Sequence, residues 1–300
     1  MSGSTVSRLD FGNYMRELRT RAPRSAVLAA ANHIGVSRPV IDRLEDGATN
    51  RLGNLHINAL LEFYNADAEA REKAWMLWEE VRAEEKRAKG GDGQGNIWKA
   101  YKDQIAPNTG KFLRLEGAAT RVISHNPVIL PAMIQTSDYR RALDRGANPN
   151  LSLVDLERRI ELTAKRQVRL NDSTFHYEAL LCEAVFRNRA GGPTVMRAQL
   201  EWLAEVGERD NVEIRIVPHS ADAHPGLAMQ SFDWLEFSAG ASGLALPTVV
   251  YAEGAIGSVF HEHDEEVNRY RQAIEGIRAV ALGKQDTRNL VLEIAKEYAA

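Results

Sequence analysis

Arginines at 38, 43 and 51, with Ser37, Pro39, Asp42, Thr49 and Asn50 among them, form a set that can grip and read a nucleic acid. An arginine fork can donate two hydrogen bonds to guanine O6 and N7. Asp42 can accept from cytosine N4, or hold Arg38 one helical turn away. Pro39 has no donor but can pack on a thymine methyl. Thr49, Asn50 and Arg51 suit phosphate contacts, which set position without reading sequence.

Other reactive side chains point nowhere as clear. His219, His224, His261 and His263, with Glu262 and Asp264, raise the question of a metal site. His261 and His263 are two apart, which is not a helical ligand spacing, and no Cys-Xaa-Xaa-Cys or His-Glu-Xaa-Xaa-His pattern accompanies them. The lone thiol, Cys182, follows Leu180-Leu181 in a strand-like run, where an apolar setting leaves a thiol inert. The glycines at 90–95 precede no strand-to-helix turn, so they cradle no phosphate. No catalytic residue, metal or cofactor is expected.

The arginines need a scaffold. Leu9–Arg19 reads as a helix with Phe11, Met15 and Leu18 on one face. A second, alanine-rich helix runs over 25–33, and Gly35 follows where the chain must stop and turn. Ser37 then stands as an N-cap, with Pro39 in the first turn of a helix that buries Ile41 and Leu44 and ends near Gly47. A fourth helix covers 54–64. A longer one, 67–86, carries Trp75, Leu77 and Trp78.

The stretch Ile34–Gly47, with its glycine turn, capped helix and Leu-Glu-Xaa-Gly ending, resembles the turn and recognition helix of XRE-type, phage-repressor-like DNA-binding domains. That resemblance implies a helix-turn-helix over about residues 9–66, whose second helix enters the major groove while the loop beyond it touches phosphate. The chain departs from the family pattern at the opening of the first helix of the pair. Ser25, Ala26 and Val27 stand where polar residues usually reach phosphate, and Ala30 where a larger apolar residue is usual.

Three hundred residues suit two domains, at roughly 100–200 residues each. Residues 1–60 hold eight arginines against five acids, a net +3, leaving −6 for the rest of a chain whose net charge is −3. A basic head on an acidic body fits a DNA reader joined to a part that does not touch DNA. No run reaches the roughly 18 apolar residues of a membrane span. The first ten residues lack a signal-peptide core, and one cysteine excludes an internal disulfide, so a cytoplasmic protein is expected. The organisation read from the chain is a helix-turn-helix domain over 1–66, a connecting helix and Gly-rich linker over 67–96, and a larger mixed α+β domain over 97–300.

Within that body, helices are predicted at about 109–120, 137–145, 152–169, 193–207, 264–281 and 286–299. Strands are predicted at 176–186, 212–217, 230–237, 248–253 and 257–261, making a sheet of four or five strands with 212–217 central. The segments Pro127–Ala142, Arg158-Arg159 with Arg166-Gln167, Gly191–Leu200, Asn211–Pro218 and Ala223–Leu227 resemble, in order and spacing, one large group of bacterial XRE regulators. The resemblance implies an antitoxin-like C-terminal domain of unknown biochemical activity that binds a small partner protein. Two functions follow. One is a dimeric transcription regulator that binds double-stranded DNA and whose body senses a partner or effector. The other is an antitoxin-like protein-binding module that uses its helix-turn-helix only for autoregulation.

Overall fold

The computed structural model describes residues 6–48, 50–90, 101, 109–254 and 257–298. Thr49 and the glycines of the expected linker beyond Gly90 lie outside the described residues. Spatial proximity sorts the described residues into two units. One gathers 6–90, 109–118 and 237–247; the other gathers 101, 119–236 and 248–298.

The first unit is helical: α1 (Val6–Arg21), α2 (Val27–His33), α3 (Arg38–Glu45), α4 (Asn54–Phe63), α5 (Ala68–Gly90) and α6 (Thr109–Ala118). Phe11 and Met15 of α1 meet Ile41 and Leu44 of α3, Ile57 and Leu60 of α4, and Leu77 and Trp78 of α5 in one core. Each fully buried side chain of this size contributes about 1.5–3 kcal/mol. Ala30 and Ala31 are wholly buried there, so the small residues of α2 occupy the crowded position rather than leaving a void. Trp78 lies 5.1 Å, centroid to centroid, from Phe11 and donates Nε1–H to Asn54 Oδ1 at 2.9 Å.

Two glycines let α1 lie against the end of α3. Gly47 follows α3 with φ +65°, a conformation few other residues adopt. A Cβ on it would stand 2.8 Å from the Leu9 backbone, and one on Gly12 would overlap the Leu44 carbonyl oxygen. The two segments therefore touch backbone to backbone.

The second unit is a mixed sheet. Among the described residues it has six strands, in the order β3-β2-β1-β4-β5-β6: β1 (Arg121–Asn126), β2 (His176–Cys182), β3 (Val212–Val217), β4 (Phe232–Glu236), β5 (Val249–Gly254) and β6 (Gly257–His261). β1, β2 and β3 run parallel; β4, β5 and β6 are antiparallel to their neighbours. Parallel strands need long crossovers. Here α7 (Ser137–Ala147) and α8 (Leu153–Gln167) join β1 to β2, and α9 (Ala184–Arg187) and α10 (Gly192–Val206) join β2 to β3. α11 (Asp264–Val280) buries Val267, Ile274 and Ile277 against Ile123, Leu180, Phe232, Trp234 and Val250. α12 (Lys284–Glu297) packs on α10 and β3.

The α+β expectation holds, with three corrections. The strand left out, β1, lies inside the sheet; it hides because Ser124 and His125 are polar yet buried. The strand expected to run to Phe186 stops at Cys182, and Glu183 turns the chain into α9. Val212–Val217 is not central but ends the sheet order. It reads as a central strand because its outer edge is covered: Ile216 N–H donates to Thr287 Oγ1 at 3.3 Å, and Leu282 N–H donates to the Ile216 carbonyl at 2.8 Å.

Candidate nucleic-acid interface

α3 begins where its sequence says it should. Ser37 is the extended N-cap residue, although its hydroxyl accepts no hydrogen bond from the helix, and Pro39 sits in the first turn. Ile41 and Leu44 point inward at 0% and 2% exposure, which turns Ser37, Arg38, Pro39 and Arg43 to the surface. Asp42 is half-buried, with Oδ2 3.6 Å from Arg38 Nε. That separation makes an ion pair without fixing the guanidinium, because a hydrogen bond would need closer approach.

The loop after α3 divides its labour. Arg51 is exposed, but Asn50 is folded into the loop itself. Its Nδ2 donates to the Ala48 carbonyl at 3.3 Å, and its Oδ1 accepts from Leu52 N–H at 3.1 Å. This side-chain turn shapes the loop that carries Arg51. Thr49 lies outside the described residues.

What the sequence did not reveal is which arginines are already committed. Arg8 binds Glu85 at 2.5 Å, Arg16 binds Asp46 at 2.5 Å, Arg19 binds Glu45 twice, and Arg21 pairs with Glu17. Among the described residues, Arg24, Arg43 and Arg51 make no ion pair and are exposed. Arg24, which the sequence did not single out, stands three residues before α2.

Glu45 closes α3 and is 5% exposed, a buried carboxylate held by two arginines of α1. Hydrogen bonding to Glu45 holds the Arg19 guanidinium above its ordinary range. Nearby, burial first and the Glu45 charge second push the Tyr64 phenol well above its usual value. The hydrogen bonds from Arg16 to Asp46 and from Arg19 to Glu45 brace the end of α3.

The remaining reactive side chains are dispersed into local structure. His219 N–H donates to Glu183, and His261 Nδ1 lies 2.9 Å from Glu266 Oε2. His224 precedes a short helical turn over Pro225–Ala228. No group of three or more His, Cys, Asp or Glu that could hold a metal ion occurs among the described residues. Cys182 is half-buried at the end of β2, and burial pushes its thiol up, away from the reactive thiolate. No helix among the described residues is long and apolar enough to cross a membrane.

Two family models match the chain. One, described as a helix-turn-helix domain, covers residues 10–74; the other, described as a domain of unknown function (DUF5753), covers residues 109–293. No curated protein and no solved structure matches it.

Proposed function

This chain belongs to the family of the domain of unknown function DUF5753, and we propose that it is a sequence-specific DNA-binding transcription regulator of the XRE type. The observation that carries the reading is the sorting of arginines. Arg16 and Arg19 of α1 are spent on bracing the end of α3, whereas Arg43 on α3 and Arg51 in the loop beyond it are exposed and make no ion pair among the described residues. An outward arginine on a helix of this kind can enter a major groove and read guanine. One in the following loop can hold phosphate.

On this reading Ser37, Arg38, Pro39 and Asp42 complete the edge that faces DNA, Asn50 shapes the phosphate-contacting loop, and Thr49 is a further phosphate contact. The head acts as a dimer, because one short helix reads only a few base pairs. The sheet unit binds a partner protein or effector and performs no catalysis. Selection of DNA from a random duplex pool by the full-length protein tests the proposal. An enriched motif with two half-sites is expected; a pool that stays random after several rounds overturns it.

A further inference from the structure

We propose that the segment between β4 and β5, Phe237–Pro247, is a clasp within the helical unit that sets the recognition helix α3, acting through Asp10 of α1. The loop belongs to the sheet by chain, since Glu236 ends β4 and Val249 opens β5, but it packs as part of the helical unit.

Asp10 is a carboxylate at 2% exposure, and among the described residues no cation pairs with it. A buried charge left without partners is costly. Ser242 supplies them: its backbone N–H donates to Asp10 Oδ2 at 3.0 Å, and its hydroxyl donates to Oδ1. Ser242 is itself only 3% exposed. The loop is built to deliver that contact. Gly243 N–H donates to the Gly240 carbonyl at 2.9 Å, and Leu244 N–H to Ser242 Oγ at 3.1 Å. A Cβ on Gly240 would overlap the Asp10 carboxylate. Asn13 Nδ2 donates to the Ala245 carbonyl at 3.0 Å, and Leu244 joins the helical core.

The position of Asp10 gives the contact its consequence. Leu9 and Gly12, on the same turn of α1, are the residues whose backbone meets Gly47 and Leu44. One turn or two further on, Arg16 and Arg19 hold Asp46 and Glu45. A shift of α1 at Asp10 therefore meets close-packed backbone, with no compliant side chain between it and the end of α3. A change in the 237–247 segment on partner or effector binding would thus loosen or tighten the clasp and be felt where DNA is read. The effect on DNA rests on the regulator reading above; the mechanical coupling does not.

The test is hydrogen exchange on the full-length protein, comparing wild type with Ser242→Ala and, separately, Gly240→Ala. Both variants should speed exchange of amides in 9–15 and in 44–48 by about ten-fold or more, the order expected when a hydrogen bond to a buried carboxylate is lost. Amides of 57–61 in α4 and of β2 should stay unchanged, which also reports that both units remain folded. If 44–48 exchange as in wild type in both variants, the coupling is refuted, even if 9–15 loosen. A DNA arm separates the two readings. Ser242→Ala should bind the selected duplex about five-fold or more weakly; unchanged affinity beside faster exchange at 44–48 would overturn the functional half. If wild type selects no duplex, the regulator reading fails while the exchange data still decide the clasp.

Discussion

Arg19 and Glu45 meet through two parallel hydrogen bonds, Nε to Oε1 at 2.6 Å and Nη2 to Oε2 at 2.8 Å, which fasten α1 to the C-terminal end of α3. The pair is nearly sealed from water, with side-chain exposures of 11% and 4%. A fork-to-carboxylate contact of this kind fixes direction as well as distance, so it sets how α3 is presented.

Removing one partner should cost more than removing the charge. Arg19→Ala leaves the Glu45 carboxylate buried with, among the described residues, only the Arg16 guanidinium at 3.4 Å, and should destabilise the helical unit by about 3–5 kcal/mol. Glu45→Gln, which keeps a hydrogen-bonding oxygen, should cost less. Urea denaturation followed by tryptophan fluorescence, with Trp78 in the same core, gives the comparison. Equal losses in the two variants would show that the pair carries no special weight.

The exposed arginines should separate by role. Arg43→Ala should cost about 1–3 kcal/mol on the selected duplex and relax preference at one base pair, and Arg38→Ala should weaken specific binding by a similar amount. Arg51→Ala should weaken all sequences alike and lower the slope of log affinity against log salt by about one unit. Arg21→Ala, whose guanidinium is engaged with Glu17, should leave both measures near wild type. A base-specific effect from Arg51 or none from Arg43 would misplace the interface.

The DNA complex should contain two protein chains. Pairing two recognition helices across a two-fold axis sets them about 34 Å apart on one face of the duplex. Analytical ultracentrifugation of protein titrated onto the selected duplex should reach a two-to-one complex. One chain per duplex at saturation would rule the dimer out.

Glu178 should make the sheet unit sensitive to acid. It is buried beside Arg278, Arg121 and Arg215, with Arg278 Nε donating to Oε1 at 2.7 Å. Burial works to raise its carboxyl, but hydrogen bonds and charge from Arg278, then Arg121, prevail and hold it below the usual carboxylate range. A folded pKa below the unfolded one means that the unfolded chain binds the extra proton as pH falls. The stabilisation is therefore present above the unfolded value, about 4.3, and is lost as pH drops through the folded value. The stability difference between wild type and Glu178→Gln should be largest near pH 7 and shrink below about pH 4. A pH-independent difference would refute the assignment.

The helices of the head were legible because their signals are local. Apolar residues at helical spacing, Ser37 and Pro39 at a start, and Gly35 and Gly47 in left-handed turns all act within a few residues of one another. β1 was not legible, because its signal is not local. Ser124 is tolerated in the interior by donating to Asp233, and His125 by lying 3.1 Å from the Leu180 carbonyl. Neither partner adjoins β1 in the chain, so the strand reads as polar.

The same distinction governs the candidate site. The inward pair Ile41 and Leu44, and hence the outward Arg38 and Arg43, follow from helical period alone. That Arg16 and Arg19 are spent on Asp46 and Glu45, that Asn50 turns back on its own loop, and that Ser242 reaches Asp10 could be decided only by the tertiary fold. Hydrogen bonds to a buried carboxylate depend on which groups chain folding brings within about 3 Å, and sequence separation carries no trace of that distance.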